Sequence, residues 1–267
     1  MPEFSHRGSN LYTGAGTVVP TASTAAFSGA SGKGNWSQIT SSTSYPSYGL
    51  WVNAYNNSLC NLLFDIGIGA STQEKVLLPD LFIGGRNGSI HINNFYPIYI
   101  PEGSRITVRS WADNGASGAV ACSVIFCGTP FPDVPIFGRC TAYGLDGTVA
   151  TGKTVTAAGS ANTKGSYTEL IDSTTYPIKA WTMHFGLEHQ VTGASAWHYN
   201  ADIAVGASGS EKILLGDLYL ATNTVEVIAP TVLGPFINPI PNGSRLAVRT
   251  QCSTASQEFD CVLYGFD

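Results

Sequence analysis

Charged residues are scarce in this 267-residue chain: 13 Lys plus Arg and 18 Asp plus Glu amount to 12%, about half of the roughly 25% usual for globular proteins. The net charge of −5 comes without a basic cluster, which argues against a groove for a nucleic-acid backbone. No apolar run reaches the ~18–20 residues of a membrane-spanning helix, so no membrane partner is expected. Disorder is excluded from the other side, because 43% of the residues are apolar and 11% aromatic. Residues 1–10 (MPEFSHRGSN) have none of the charged head, apolar centre and small-residue cleavage site of a secretory leader. They read as an N-terminal arm or a tag, and export by the general secretory route is not expected.

Recognisable catalytic and ligand motifs are also missing. There is no Gly-x-Ser-x-Gly nucleophile turn and no phosphate loop. The glycines of residues 66–71 (IGIGAS) lie inside a strand pattern, with no helix after them to offer amides to a phosphate. None of the six cysteines stands in a C-x-x-C pair, and no Cys/His spacing matches a zinc site. His184 and His189 lie five apart. On a strand that spacing sends their rings to opposite faces, and Asn53 occupies the matching position earlier in the chain. No metal, cofactor or catalytic residue is expected.

What the chain does contain is a repeat. Residues 34–46 (GNWSQITSSTSYP) recur as 165–177 (GSYTELIDSTTYP), 131 positions on. Residues 65–71 (DIGIGAS) and 74–81 (EKVLLPDL) recur as 202–208 (DIAVGAS) and 211–218 (EKILLGDL), both 137 positions on. Residues 101–109 (PEGSRITVR) recur as 241–249 (PNGSRLAVR), 140 positions on. Four blocks in one order with drifting offsets read as two copies of one domain that differ in loop length. Copy one is assigned to 11–128, a Pro-rich, extended linker to 129–140, and copy two to 141–267.

Both copies alternate with period two. Cys60, Leu62, Phe64, Ile66 and Ile68 share one face, as do Tyr199, Ala201, Ile203 and Val205 in copy two. Arg105, Thr107 and Arg109 face away from Ile106 and Val108. Gly, Pro, Asn and Ser clusters separate these runs, and only residues 74–81 leave room for a helical turn. The expected fold is all-β: two tandem antiparallel β-sandwiches of jelly-roll type.

The acids Asp65, Asp80, Asp202 and Asp217 and the arginines Arg105, Arg109, Arg245 and Arg249 recur at matched positions. In so weakly charged a chain this points to structural ion pairs that fix turns, in preference to paired catalytic carboxylates. Trp36 aligns with Tyr167 as a core anchor. Trp51, Trp111 and Tyr48 are the candidates for an exposed interface or a glycan platform. The six cysteines read either as reduced thiols acting as small core residues or as bridged pairs: strand parity places Cys252 with Cys261, and Cys60 with Cys122, on inward faces where bridges are conceivable. Cys127 and Cys140 flank the linker, where they suit a staple or an intersubunit bond.

The block order resembles β-sandwich virion proteins of tailed bacteriophages. The resemblance rests on 65–71, 74–81 and 101–109 and on their counterparts 202–208, 211–218 and 241–249. It implies a non-enzymatic structural protein that decorates the capsid or forms part of a tail or fibre. Its partners would be copies of itself and other virion proteins, and its location the virion. The alternative is a carbohydrate- or receptor-binding module of a fibre, with a host-surface glycan as partner. A particle that leaves the cell meets oxidising surroundings, so the resemblance also favours oxidised cysteines.

Overall fold

The structure is a computed structural model that describes residues 11–13, 32–56, 60–84, 90–112, 120–128, 130, 134–146, 151–187, 196–222 and 228–267. The arm at 1–10 lies outside them. All regular elements are strands. The first eight are β1 (Leu11–Thr13), β2 (Ser37–Thr40), β3 (Leu50–Asn56), β4 (Leu62–Ile68), β5 (Lys75–Ile83), β6 (Ile90–Tyr96), β7 (Ile106–Ala112) and β8 (Val120–Cys127). They form two antiparallel sheets ordered β1-β8-β3-β6 and β2-β7-β4-β5. That is jelly-roll order: the chain alternates between two facing layers instead of completing one layer at a time. Leu50, Val52 and Ala54 of one layer and Ile106, Val108 and Ala112 of the other turn inward into a shared apolar core.

The order then repeats. The elements are β9 (Cys140–Tyr143), β10 (Leu145–Asp146), β11 (Thr151–Thr156), β12 (Thr168–Ile171), β13 (Ala180–Gly186), β14 (His198–Val205), β15 (Lys212–Thr222), β16 (Ile228–Ala229), β17 (Val232–Phe236), β18 (Leu246–Cys252) and β19 (Glu258–Phe266). One sheet runs β10-β11-β19-β13-β17, with β9 also paired to β19, and the other β12-β18-β14-β15-β16. The matched sequence blocks occupy matched places. Asp65 lies opposite Arg109 in the β4–β7 pairing, and Asp202 opposite Arg249 in the β14–β18 pairing. Residues 74–81 lie within the edge strand β5 and its approach, so the helical turn left open there does not form.

The segment between the two sets of sheets is docked against both. Phe137 exchanges backbone hydrogen bonds with Pro97 and Tyr99, and its ring stacks on Phe266 at 6.2 Å. Arg139 and Asp267 form an ion pair, and Arg139 lies 3.3 Å from the centre of the Tyr176 ring. The first core also continues across the junction into Cys140, Ala180, Val262, Tyr264 and Phe266. Gly84 meets Gly186 there so closely that a Cβ on Gly84 would lie 2.4 Å from the Gly186 Cα.

All six cysteines are buried and none is in a disulfide, so of the two readings left open for them the chain shows core thiols and no intrachain bridge. Cys252 ends β18 and Cys261 lies in β19, which belong to facing sheets. Cys60, just before β4, and Cys122 in β8 likewise belong to facing layers. Cys127 is held at the end of β8 with its amide donating to Ser47 Oγ, while Cys140 pairs with Phe266 in the second set of sheets. Burial pushes the Cys122 thiol up to about 12 and Cys127 up to about 11, and it raises Cys140 and Cys261 as well. Protonated, buried thiols are poor nucleophiles. Ellman's reagent is therefore expected to label none of the six in the native protein and all six after unfolding in guanidinium. Rapid native labelling of even one would contradict this packing.

Candidate functional site

The recurring charges assemble into twin clusters on the outer faces of β2-β7-β4-β5 and of β12-β18-β14-β15. Each is built around a β-bulge. Between Phe64 and Ile66 of β4 the partner strand advances from Leu81 to Leu78, so Pro79 and Asp80 stand opposite Asp65. In the second half Gly216 and Asp217 stand likewise opposite Asp202. A bulge removes an amide from the ladder and drives one residue out of extended geometry. That residue is Asp80 at φ +48° and Asp217 at φ +52°. Aspartate tolerates this left-handed conformation better than most residues with a side chain.

The buried carboxylate opposite satisfies the displaced amide. Asp80 N donates to Asp65 Oδ1 at 2.8 Å, and Asp217 N to Asp202 Oδ1 at 3.0 Å. Cations complete each carboxylate. Lys33 Nζ and Arg109 Nε donate to Asp65 at 2.8 and 2.7 Å; Lys164 Nζ and Arg249 Nε donate to Asp202, both at 2.8 Å. The lysines also reach Asp80 and Asp217, at 2.6 and 3.0 Å. Burial raises the Asp80 carboxyl, with the negative charge of Asp65 adding to it. Burial also pushes Asp202 upward, but hydrogen bonds from Lys164, the Asp217 amide and Arg249 outweigh it and hold that carboxyl below its usual range.

A second brace closes the turn after each bulged strand pair. Arg105 donates to Glu74 Oε1 at 2.7 Å, to Gln38 at 2.9 Å and to the Gly69 carbonyl at 3.3 Å. Arg245 repeats the pattern on Glu211, Glu169 and the Gly206 carbonyl. The hydrogen bond from Arg105 holds Glu74 below its ordinary value. Glu211 is lowered first by its own backbone amide and also by Arg245.

Three features of these clusters were not foreseen. Lys33 and Lys164 stand one residue before a matched block, 131 apart, so their recurrence was present in the sequence but outside the aligned segment. Trp36 and Tyr167 are not core anchors. They lie on the outer face beneath the guanidinium groups of Arg109 and Arg249, 4.3 and 4.6 Å from the ring centres. A Cβ on Gly67 would lie 2.6 Å from the Trp36 ring, which accounts for glycine at that position. The corresponding residue is Ala204, where the ring is the smaller Tyr167.

The aromatic candidates do not converge. Trp51 is half-buried on the outer face of the β3 layer, with its ring 5.8 Å from Phe95, whereas Trp111 lies half-buried on the β7 layer opposite. Tyr48 pairs with the exposed Tyr99 at 5.7 Å. His184 is buried in the junction between the two halves. Its Nδ1 donates to the Phe82 carbonyl at 2.8 Å, so its Nε2 accepts from Tyr96 Oη, also at 2.8 Å. Tyr264 Oη accepts from Phe82 N at 2.8 Å and donates to the Asp80 carbonyl at 2.5 Å. Side chains of the second half thereby cap the open edge of β5. His189 lies outside the described residues. Among those described, no group of three or more His, Cys, Asp or Glu side chains is gathered as a metal site.

No family model matches this sequence, and no curated protein matches it. Among solved structures, the chain is similar to PNGF-II at 12% identity and a TM-score of 0.33, covering 87% of this chain and 59% of that one. It thus spans less than two thirds of that protein. It is also similar to PNGase F, a glycosylasparaginase from Flavobacterium meningosepticum, at 9% identity and a TM-score of 0.33, covering 91% and 93%. A third likeness is to the tandem CBM22-1-CBM22-2 domains of Paenibacillus barcinonensis Xyn10C, at 10% identity and a TM-score of 0.27, covering 90% and 85%. Superpositions this loose assign no activity.

Two predictions follow from the ionic geometry. Asp65→Asn and Asp202→Asn are each expected to cost about 2–3 kcal/mol in urea unfolding, the scale of hydrogen bonds to charged groups. The full penalty of a sealed pair is not expected, because the lysine and arginine partners reach water. Asp217→Asn, at a largely exposed side chain, is expected to cost no more than about 0.5 kcal/mol. The second concerns His184, which burial lowers from 6.5 to about 4. The unfolded chain takes up this proton first as pH falls, so stability present above pH 6.5 is lost between 6.5 and about 4. By linkage the loss reaches about 2 kcal/mol at pH 5. Unfolding at pH 7 and 5 should show it in the parent chain and not in His184→Gln; equal losses in both would contradict it.

Proposed function

We propose that this chain is a non-enzymatic structural protein of a bacteriophage particle, which works through protein–protein contacts on a capsid, tail or fibre. The observation that carries the reading is the surface of the two long outer strands. Val76 on β5 and Ile213 on β15 hold matched positions and are 43% and 51% exposed. Aliphatic side chains left open on strand edges are places where another chain adds or packs. The sparse charges support the same reading: Asp65, Asp202, Glu74 and Glu211 face their own lysines and arginines, so their role is internal bracing. The three sides of the Asp65 carboxylate contacted by Lys33, Arg109 and the Asp80 amide are those a substrate or water would need for acid–base chemistry.

The fibre-module alternative, in which the chain binds a host-surface glycan, needs ring faces open to a sugar. Trp51 and Trp111 fit it less well, being half-buried on opposite layers. The discriminating experiment is quantitative mass spectrometry of gradient-purified particles together with a glycan array. The chain is expected in stoichiometric amount on particles, with no glycan retained. Its absence from particles together with glycan retention would overturn the proposal in favour of the alternative.

A further inference from the structure

The junction inside the chain uses two surfaces, and the repeat supplies each of them a second time. One surface is the β5 edge around Phe82, which is fully buried. The other is the outer face of β13 and β19, from which His184 and Tyr264 reach the backbone of Phe82 and Asp80. Phe82 lies opposite Leu63 in the β4–β5 pairing, and Tyr219 lies opposite Asn200 in the equivalent β14–β15 pairing. Tyr219 therefore holds the place of Phe82, two residues before β15 pairs with β16, and its ring, stacked on His198 at 5.8 Å, is 58% exposed. The other surface recurs too. His184 pairs with Val262 and Thr182 with Tyr264; Asn53 pairs with Ser123 and Trp51 with Ile125 in the same arrangement. Asn53 is exposed, and Trp51, Tyr55 and Ile125 are half-exposed.

We infer that this chain self-associates head to tail: the Trp51–Asn53 face of one copy packs on the Tyr219 edge of β15 of the next. This deepens the assembly reading and rests on it. The occupant is a second copy because the chain already joins this pair of surfaces once, between its own halves. Asn53 carries an amide N–H where His184 presents its ring N–H, so it is able to donate to the carbonyl of Tyr219 as His184 does to Phe82. Trp51 and Tyr55 supply broad apolar surface of the kind enriched at interface centres. The contact between copies is looser than the internal one. Gly84 and Gly186, which approach so closely inside the chain, correspond to Ala221 and Tyr55. The two surfaces differ from each other, so the contact is heterologous and continues until a ring closes or a filament grows.

Sedimentation velocity on the full chain tests this, with Asn53→Arg and Tyr219→Arg placed at exposed positions and their folding checked by thermal melts. The parent chain is expected to sediment faster with concentration, past the dimer, and each variant alone to stay monomeric. An equimolar mixture of the two variants is expected to stop at the dimer, since only one intact pair of surfaces remains. A parent chain that stays monomeric, or either variant assembling like the parent, would overturn the inference. So would a Tyr219→Arg chain that self-associates normally but no longer binds particles, because the β15 edge would then meet a different virion protein. That last outcome leaves the assembly reading standing, whereas absence from particles removes it whatever the sedimentation shows.

Discussion

A buried aspartate inside each β-bulge is the constraint on which the rest of the molecule depends. Asp65 and Asp202 accept the amide that the bulge removes from the ladder, and each is neutralised by one lysine and one arginine. Without that acceptor the displaced amide would lack a partner in a region with little water, at a cost comparable to a lost hydrogen bond. The bulge turns the outer strand and places Asp80 and Asp217 in left-handed geometry. It also sets the path of the following residues, including Phe82, whose backbone the second half caps. One carboxylate thus links the ladder, the strand edge and the junction.

The junction shows what the fold does with an open strand edge. On β5 the edge is closed by Tyr264 and His184, the latter a neutral imidazole whose tautomer follows from the carbonyl it faces. On β15 the corresponding position carries an exposed tyrosine. That tyrosine, Tyr219, lies on the stretch of β15 just before its pairing with β16. In the proposed assembly a neighbour covers this edge, where the small number of outward charges leaves little electrostatic opposition to close approach.

Strand parity was readable because the period of a strand is fixed by its geometry. Leu62, Phe64, Ile66, Ile106 and Val108 all turn into the core as alternation implies. The matched charges were readable because a duplicated brace must repeat its residues. Lys33 and Lys164 escaped because one conserved residue next to a variable stretch carries no alignment signal of its own. Trp36 was misplaced because hydrophobicity does not distinguish a ring beneath an arginine from a ring in a core. For the cysteines, parity shows that Cys252 and Cys261 both point inward, but not whether the two sulfurs meet, so core thiols and bridges stayed equally open. Residues 74–81 read equally as a turn of helix because the bulge interrupts the period-two pattern there.

Taken alone, the sequence determined the all-β class, the repeated order of blocks and the positions at which charge recurs. These depend on local periodicity and self-similarity, which a linear string preserves. Tertiary structure alone decided which acid meets which cation, that all six cysteines are buried with no disulfide among them, and that His184 seals the contact between the halves. Each of those depends on distances across strands or layers between residues up to 128 positions apart, as for Arg139 and Asp267. Such distances are set by how strands pair and sheets face one another, and no local pattern of residues encodes them.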